Sequence, residues 1–115
     1  MSSHLDQFTY KLIDRKPVQC ANDDEWFKWF LDLENNRRVG LTTIKKAMVG
    51  LDIVMDSIEV TISTVFTSLN IIPQDMALFE TLVRGGKYDG CVWRCRTWDE
   101  AVVQHEQVIA IVKGS

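Results

Sequence analysis

Residues 58–66 read IEVTISTVF, a run in which bulky apolar and polar side chains alternate and β-branched residues predominate. Alternation with a period of two predicts a strand with one face in a hydrophobic core. Two further strands are predicted at residues 78–84 and 91–96. Between them, the sequence GGKYDG at residues 85–90 has the glycines and the Asp-Gly pair typical of a β-hairpin turn. Such short connections indicate an antiparallel sheet.

A helix is predicted after the last of these strands. Thr97 and Glu100 have the spacing of a capping box, in which the Thr97 hydroxyl accepts a hydrogen bond from the backbone amide of Glu100. Gly114 is a typical helix stop. Helical spacing predicts that one apolar face contains Trp98, Val102, His105, Ile109 and Val112.

The N-terminal part has a similar alternation of elements. The pattern predicts, in order, a strand at residues 8–13, a turn at 14–17, a short return strand at 18–20 and a helix from Glu25 to about Asn35. Asn22 or Asp23 is suited to cap this helix. Its apolar arc is unusually wide, so the helix is either covered by two layers or partly in contact with a partner.

The segment after this helix has two interpretations. Residues 38–44 fit a strand, whereas Leu41, Ile44, Met48, Leu51 and Met55 fit a helical stripe interrupted by Gly50. Taken together, the elements predict an α+β fold in a single domain of residues 1–115. The expected architecture is a two-layer sandwich: an antiparallel sheet of about four to five strands with two helices packed on it.

Composition limits the function classes. The 115 residues carry a net charge of -3, which gives no general attraction for nucleic acid or anionic lipid. A local cationic patch of Arg84, Lys87, Arg94 and Arg96 with Tyr88 is expected to be a solvated sheet face, so nucleic-acid binding is not expected. No apolar run is long enough for a membrane span, and three cysteines suggest reduced thiols, so we expect a cytoplasmic protein.

Metal and cofactor sites are not expected. Cys91 and Cys95 would lie about 13 Å apart along a strand, too far to share a metal ion. Cys20 and these two cysteines are interpreted as packed thiols. No phosphate-binding loop or hydrolase motif is present in the sequence, and a Cys–His catalytic pair with His105 is less favoured than a core histidine. We therefore predict no catalytic residue and no cofactor.

One charged pair merits a specific prediction. In one register of the hairpin, Glu80 lies opposite Arg94; a slip by one position places it opposite Cys95 instead. Because a carboxylate on a largely apolar face needs a partner, a cross-strand ion pair is the favoured interpretation. The alternative is that Glu80, Arg94 and His105 line a pocket for a small ligand or an unrecognised enzyme site.

The order of several short motifs resembles a known family. These motifs are STVF (63–66), LN (69–70), LFET (78–81), GG (85–86), DG (89–90), Arg94, TWDEA (97–101) and His105. They are similar to a family of small proteins encoded in bacteriophages and prophages, usually of unassigned function. The first half is also similar, through YKL (10–12), PV (17–18), the Trp-rich helix and RRV (37–39).

The chain departs from that family at residues 45–57. The resemblance implies a tight turn between two strands there, whereas this chain has a longer, more apolar segment that we interpret as an insertion. The family pattern favours the strand interpretation of residues 38–44 and implies a phage-like setting. It implies no catalytic residue.

The function expected from these observations is that of a non-enzymatic phage-like accessory protein. It would bind a host or phage macromolecule, and one concrete form is inhibition of a bacterial defence complex. A homo-oligomer, most simply a dimer, is compatible with this expectation. The expected interface consists of Trp26, Phe27, Trp29, Phe30, Met48 and Met55.

Overall fold

The computed structural model describes residues 9–32, 36–47, 57–68 and 76–114. Its elements are β1 (Tyr10–Ile13), β2 (Lys16–Gln19), α1 (Asp23–Leu31), β3 (Arg38–Ala47), β4 (Ser57–Phe66), β5 (Phe79–Arg84), β6 (Val92–Cys95) and α2 (Trp98–Gly114). β1 and β2 form an antiparallel hairpin, and a four-stranded antiparallel sheet has the order β3-β4-β5-β6. The predicted α+β fold is confirmed.

β4 is one of the two inner strands of this sheet, and its alternation is the most regular in the chain. Val60, Ile62, Thr64 and Phe66 are buried, whereas the residues between them point to the other face. β4 pairs with β3 on one side and with β5 on the other. The inward face of the sheet is therefore decided by this one strand.

The segment after α1, which the sequence allowed to be a strand or a helix, is a strand over its described residues. β3 is antiparallel to β4, with Ile44 opposite Val60 and Ala47 opposite Ser57. The helical stripe through Leu41 and Ile44 was therefore the wrong interpretation, because the paired backbone alternates these residues between sheet faces. Both ends of the predicted insertion at residues 45–57 belong to the paired strands; residues 48–56 lie outside the described part.

α2 covers one face of the four-stranded sheet. Its buried residues are Ala101, His105, Val108 and Val112. Val102, predicted to face the core, is 44% exposed, so that prediction was wrong. The rest of the predicted stripe faces inward: His105 and Val112 are buried, and Trp98 and Ile109 are packed against the core. Ala101 and Val108 occupy the inward positions in place of Val102, so the buried face is shifted only slightly from the predicted one.

Both helix starts have the predicted caps. In α2 the amide of Glu100 donates to Thr97 Oγ1 at 3.0 Å, and Glu100 Oε1 accepts from the amide of Thr97 at 3.1 Å. In α1, Asn22 Oδ1 accepts from the amide of Glu25 at 2.8 Å. α1 ends at Leu31, earlier than the predicted end near Asn35, and Asp32 has an extended backbone.

The turn between β5 and β6 requires glycine at its first position. Gly85 has a φ of +95°, and a Cβ atom there would lie 2.3 Å from the carbonyl oxygen of Glu59 on β4. Gly90 also has a positive φ, +85°, but a Cβ atom there would have no neighbour within 4 Å. A substitution at Gly90 therefore has only the cost of the backbone conformation, whereas a substitution at Gly85 has the additional cost of steric overlap.

We expect Gly85→Ala to lower the free energy of unfolding by more than the ~1–2 kcal/mol that a left-handed conformation costs an alanine. The additional cost comes from moving β4 away from the turn. Gly90→Ala, the matched control, should lose only the conformational part. Urea denaturation of both variants measures the difference, and equal losses would contradict the close approach to Glu59.

Candidate functional site

The first candidate site is α1, which is fastened to the β1–β2 hairpin by a charged contact. The Lys11 ammonium contacts Glu25 Oε1, and Glu25 Oε2 accepts from the amide of Ala21 at 2.7 Å. The hydrogen bond from Lys11 is the main reason that the pKa of Glu25 is lowered, and the same bond raises the pKa of Lys11. These bonds hold the first turn of α1 in place.

The aromatic residues of α1 pack mainly against one another. The Trp26 ring lies 4.8 Å from that of Phe27 and 5.0 Å from that of Phe30, measured between centroids. The Arg37 guanidinium covers Phe30 at 4.0 Å from the ring centroid. Trp29 reaches the core, with its ring edge-on to Phe66. Three of the four aromatic residues predicted as an interface, Trp26, Phe27 and Phe30, are thus brought into one cluster, whereas Trp29 packs on the core.

Part of this cluster faces solvent. No residue of α1 is buried, and Phe27 and Leu31 are 51% and 70% exposed. These two side chains are one helical turn apart and so form a continuous apolar stripe. We call Phe27 and Leu31, with Asp24 and Asp32 beside them, the α1 surface. The predicted interface residues Met48 and Met55 lie outside the described residues.

The second candidate site was a pocket formed by Glu80, Arg94 and His105. Glu80 and Arg94 form an ion pair with each other instead. Glu80 is opposite Arg94 in the β5–β6 register, and Arg94 Nε lies 3.3 Å from Glu80 Oε2. The predicted pairing is confirmed, and the slipped register was not adopted. Both side chains are on the face of the sheet opposite to α2, since the neighbouring Thr81 points towards that helix.

His105, the third predicted residue, is buried between α2 and the sheet. Its Nδ1 atom lies 2.7 Å from Thr64 Oγ1, and its Nε2 atom lies 2.9 Å from Thr42 Oγ1. A Cβ atom at Gly40 would be 3.0 Å from the ring, so β3 accommodates His105 by lacking a side chain there. The favoured interpretation, a core histidine with its hydrogen bonds satisfied, agrees with this geometry.

The contacts of His105 extend into a hydrogen-bond network across the sheet. Thr64 Oγ1 lies 2.6 Å from Thr81 Oγ1, which accepts from Gln104 Nε2 at 2.9 Å. Gln104 also donates to the carbonyl oxygen of Trp93 at 3.2 Å. The network therefore joins α2 to all four strands. We call it the threonine–histidine network.

A neutral His105 satisfies every member of this network. Gln104 donates to Thr81, Thr81 to Thr64, Thr64 to Nδ1, and Nε2–H to Thr42. Burial lowers the pKa of His105 because the imidazolium loses its hydration, and Glu106 opposes this effect only partly. The ring is thus held neutral as a structural group.

The structure does not bring Glu80, Arg94 and His105 together, because the sheet separates the ion pair from the histidine. The residues that His105 does contact, Thr42 and Thr64, were missed from the sequence. Their only signal was position: Thr64 occupies an inward place in the alternation of β4, where an apolar residue is usual.

The three cysteines are free thiols. The surroundings of Cys20 and Cys95 do not favour a nucleophile. Cys20 is buried, and loss of hydration raises its pKa. Burial and, secondarily, Glu100 raise the pKa of Cys95 to about 11. Cys91 is exposed. A thiol whose pKa is raised is mostly protonated at neutral pH and is a poor nucleophile.

Comparisons with known proteins add no relative. No protein family matches the chain, and no similar protein was found among curated proteins or solved structures. Within residues 9–32, 36–47, 57–68 and 76–114, no group of three His, Cys, Asp or Glu side chains is arranged to hold a metal ion. Among the helices in these ranges, none is long and apolar enough to cross a membrane.

We expect Thr64→Val to lower the free energy of unfolding by about 2 kcal/mol, because the His105 ring and the Thr81 hydroxyl lose a partner inside the core. Thr61→Val is the matched control on the same strand, on the face away from α2, and should change stability by less than ~0.5 kcal/mol. Urea denaturation of both variants measures this. A loss no larger for Thr64→Val than for Thr61→Val would show that the network contributes nothing.

Stability should also fall in mild acid. The unfolded chain binds a proton at His105 near its ordinary pKa of 6.5, whereas the folded chain binds it only at lower pH. This contribution is therefore fully present above pH 6.5 and is lost as the pH falls towards the folded pKa. The urea concentration at the midpoint of unfolding should decrease as the pH is lowered from about 7.5 to about 5. In His105→Gln this decrease should be smaller.

Should His105→Gln fail to fold, an NMR titration of the imidazole in the unmodified chain gives the same answer. A measured pKa for His105 at or above 6.5 would contradict the effect of burial.

Proposed function

We propose that this chain is a non-enzymatic accessory protein that docks a basic surface of a macromolecular partner through α1. The observation that carries the proposal is the α1 surface, where Phe27 and Leu31 are more than half exposed on a helix with no buried residue. Trp29 of the same helix packs on Phe66 in the core, whereas Phe27 and Leu31 point away from it and are accessible to a partner.

The α1 surface has the properties of a binding anchor. Burying a Phe or Leu side chain in an interface stabilises the complex by about 1.5–3 kcal/mol for each. Phe27 is also held in place by a tilted ring contact with Trp26, which makes a second tilted contact with Phe30. Because the ring is already ordered before binding, little conformational entropy remains to be lost.

Charge favours a basic partner. α1 has Asp23, Asp24 and Glu25 in its first turn and Asp32 at its end. Glu25 is paired with Lys11, and Lys28 and the Arg37 guanidinium over Phe30 are cationic, so a small acidic excess remains at this surface. An acidic rim around an apolar centre attracts cationic protein surfaces and repels phosphate backbones. It also disfavours a dimer through this helix, since two copies would bring acidic residues together.

The family resemblance in the sequence supplies the setting of the proposal. In a phage-like context, a cationic surface of a bacterial defence complex that binds nucleic acid would be a suitable partner. By covering that surface, the chain would inhibit the complex in the host cytoplasm. This biological role rests on the resemblance and on charge complementarity, whereas the docking surface rests on the geometry of α1.

The test is a pull-down from bacterial lysate with three forms of the protein: unmodified, Phe27→Ser with Leu31→Ser, and Val102→Ser with Val103→Ser. The second pair is the matched control, because both valines are exposed on α2. A partner docked on α1 should be retained by the control and reduced at least about tenfold by the α1 variant. Its binding should weaken with added salt.

Circular dichroism establishes that both variants are folded. A protein captured equally by all three forms would contradict docking through α1. A partner with an acidic surface, or binding insensitive to salt, would contradict the charge argument.

A further inference from the structure

The face of the four-stranded sheet away from α2 has an apolar row that crosses all four strands. In the strand register, Leu41 is opposite Ser63, and Ser63 is opposite Leu82. Leu82 is in turn opposite Val92 at the other edge of the sheet. Since neighbouring strands lie about 4.8 Å apart, the row is about 14 Å long. We call this side of the sheet the outer sheet face.

Neither of the two described helices covers the outer sheet face. α2 lies on the opposite face, and α1 packs through Trp29 on Phe66, which also points inward. Leu41 is 50% exposed and Val92 is 41% exposed. The solvent side of an antiparallel sheet is usually polar. An apolar row that crosses the whole sheet in contact with water therefore indicates a contact surface.

Opposite charges lie on the two sides of this row. Arg84 and Glu80 are each two residues from Leu82, about 7 Å along β5 in opposite directions. Arg84 is exposed and forms no ion pair with another described residue. Glu80 accepts from Arg94 through Oε2. Because a carboxylate can accept several hydrogen bonds, Glu80 has room for a second arginine.

We propose that two copies of this chain form a dimer through their outer sheet faces, about a two-fold axis along the apolar row. The rotation places Leu82 and Val92 of each copy against the same residues of the other. It also reverses the strands, so Arg84 faces the partner's Glu80 twice in the dimer. Packed sheets are turned by about 30°, which displaces these groups by about 3–4 Å, within the reach of an arginine side chain.

The other charges of the paired strands fit this arrangement. Arg38 comes to face the partner's Thr43, and Arg94 comes to face the partner's β5–β6 turn. Lys45 and Glu59, farthest from the axis, are opposite each other in the β3–β4 register and leave no net charge. Among the strand residues, no like charges are therefore brought directly opposite each other. Charge complementarity of this kind selects one orientation of the two sheets.

The proposed interface is small. Four strands and three rows of side chains measure about 19 Å by 20 Å, a footprint of roughly 400 Å² per copy, against the ~800 Å² of a standard interface. We therefore expect a reversible dimer that forms at high protein concentration. α1 lies outside this interface, so the dimer does not depend on the proposed function.

The first test is sedimentation velocity of the full chain from about 10 µM to about 1 mM, where the unmodified protein should shift from monomer to dimer. Arg84→Glu and Glu80→Arg should each weaken the dimer at least about tenfold, because each places like charges across the axis. An equal mixture of the two variants should dimerise again, since opposite charges then face each other. Lys28→Glu is the control for the change in charge and should dimerise normally.

The apolar row is tested separately. Val92→Glu places two carboxylates together on the axis and should abolish the dimer. Val102→Glu is the matched control, because Val102 is similarly exposed, at 44%, but lies on α2. Circular dichroism establishes that each variant is folded.

Three results would overturn the proposal: a monomer at every concentration, a mixture of the charge variants that stays monomeric, or equal effects of Val92→Glu and Val102→Glu. The α1 variant Phe27→Ser with Leu31→Ser should dimerise like the unmodified chain. Loss of the dimer in that variant would place the interface on α1 instead, whereas loss of partner capture alone would concern only the proposed function.

Discussion

The position of α2 depends on the hydrogen bonds that Thr64 and Thr81 make beneath it. Apolar packing alone would allow the helix to slide or turn, whereas hydrogen bonds are directional and lose strength when their geometry changes. The threonine–histidine network reaches every strand of the larger sheet, through Thr42, Thr64, Thr81 and the Trp93 carbonyl. It thereby sets which residues of α2 are inward, and Val102 is turned outward as a result.

Features set by neighbouring residues could be predicted from the sequence. The β4 alternation, the β5–β6 hairpin, the Thr97–Glu100 cap and the Glu80–Arg94 pairing are all decided within about fifteen positions of chain. The exact inward face of α2 was not predictable in this way. It depends on contacts with Gly40, Thr42 and Thr64, which are distant from α2 in sequence and whose residue types are compatible with many environments.

The candidate functional residues also differ in whether neighbouring sequence is enough to predict them. The aromatic composition of α1 indicated an interaction surface, and that helix does expose Phe27 and Leu31. The alternative prediction, a pocket of Glu80, Arg94 and His105, is not formed because a period of two places adjacent strand residues on opposite faces, and Glu80 is adjacent to Thr81.

The outer strand β3 has a consequence for how these molecules behave when crowded. It is ten residues long and forms one edge of the described sheet, so its free side offers hydrogen-bonding groups to another strand. If two copies paired there antiparallel about Leu41 and Thr42, Arg38 of each would lie near Lys45 of the other, and the bulge between Arg38 and Gly40 would interrupt the ladder beside this pair of cations. Like charges across a pair of strands destabilise such a ladder. The bulge and the cations near both ends of β3 thus oppose growth of the sheet from one molecule into the next in this register.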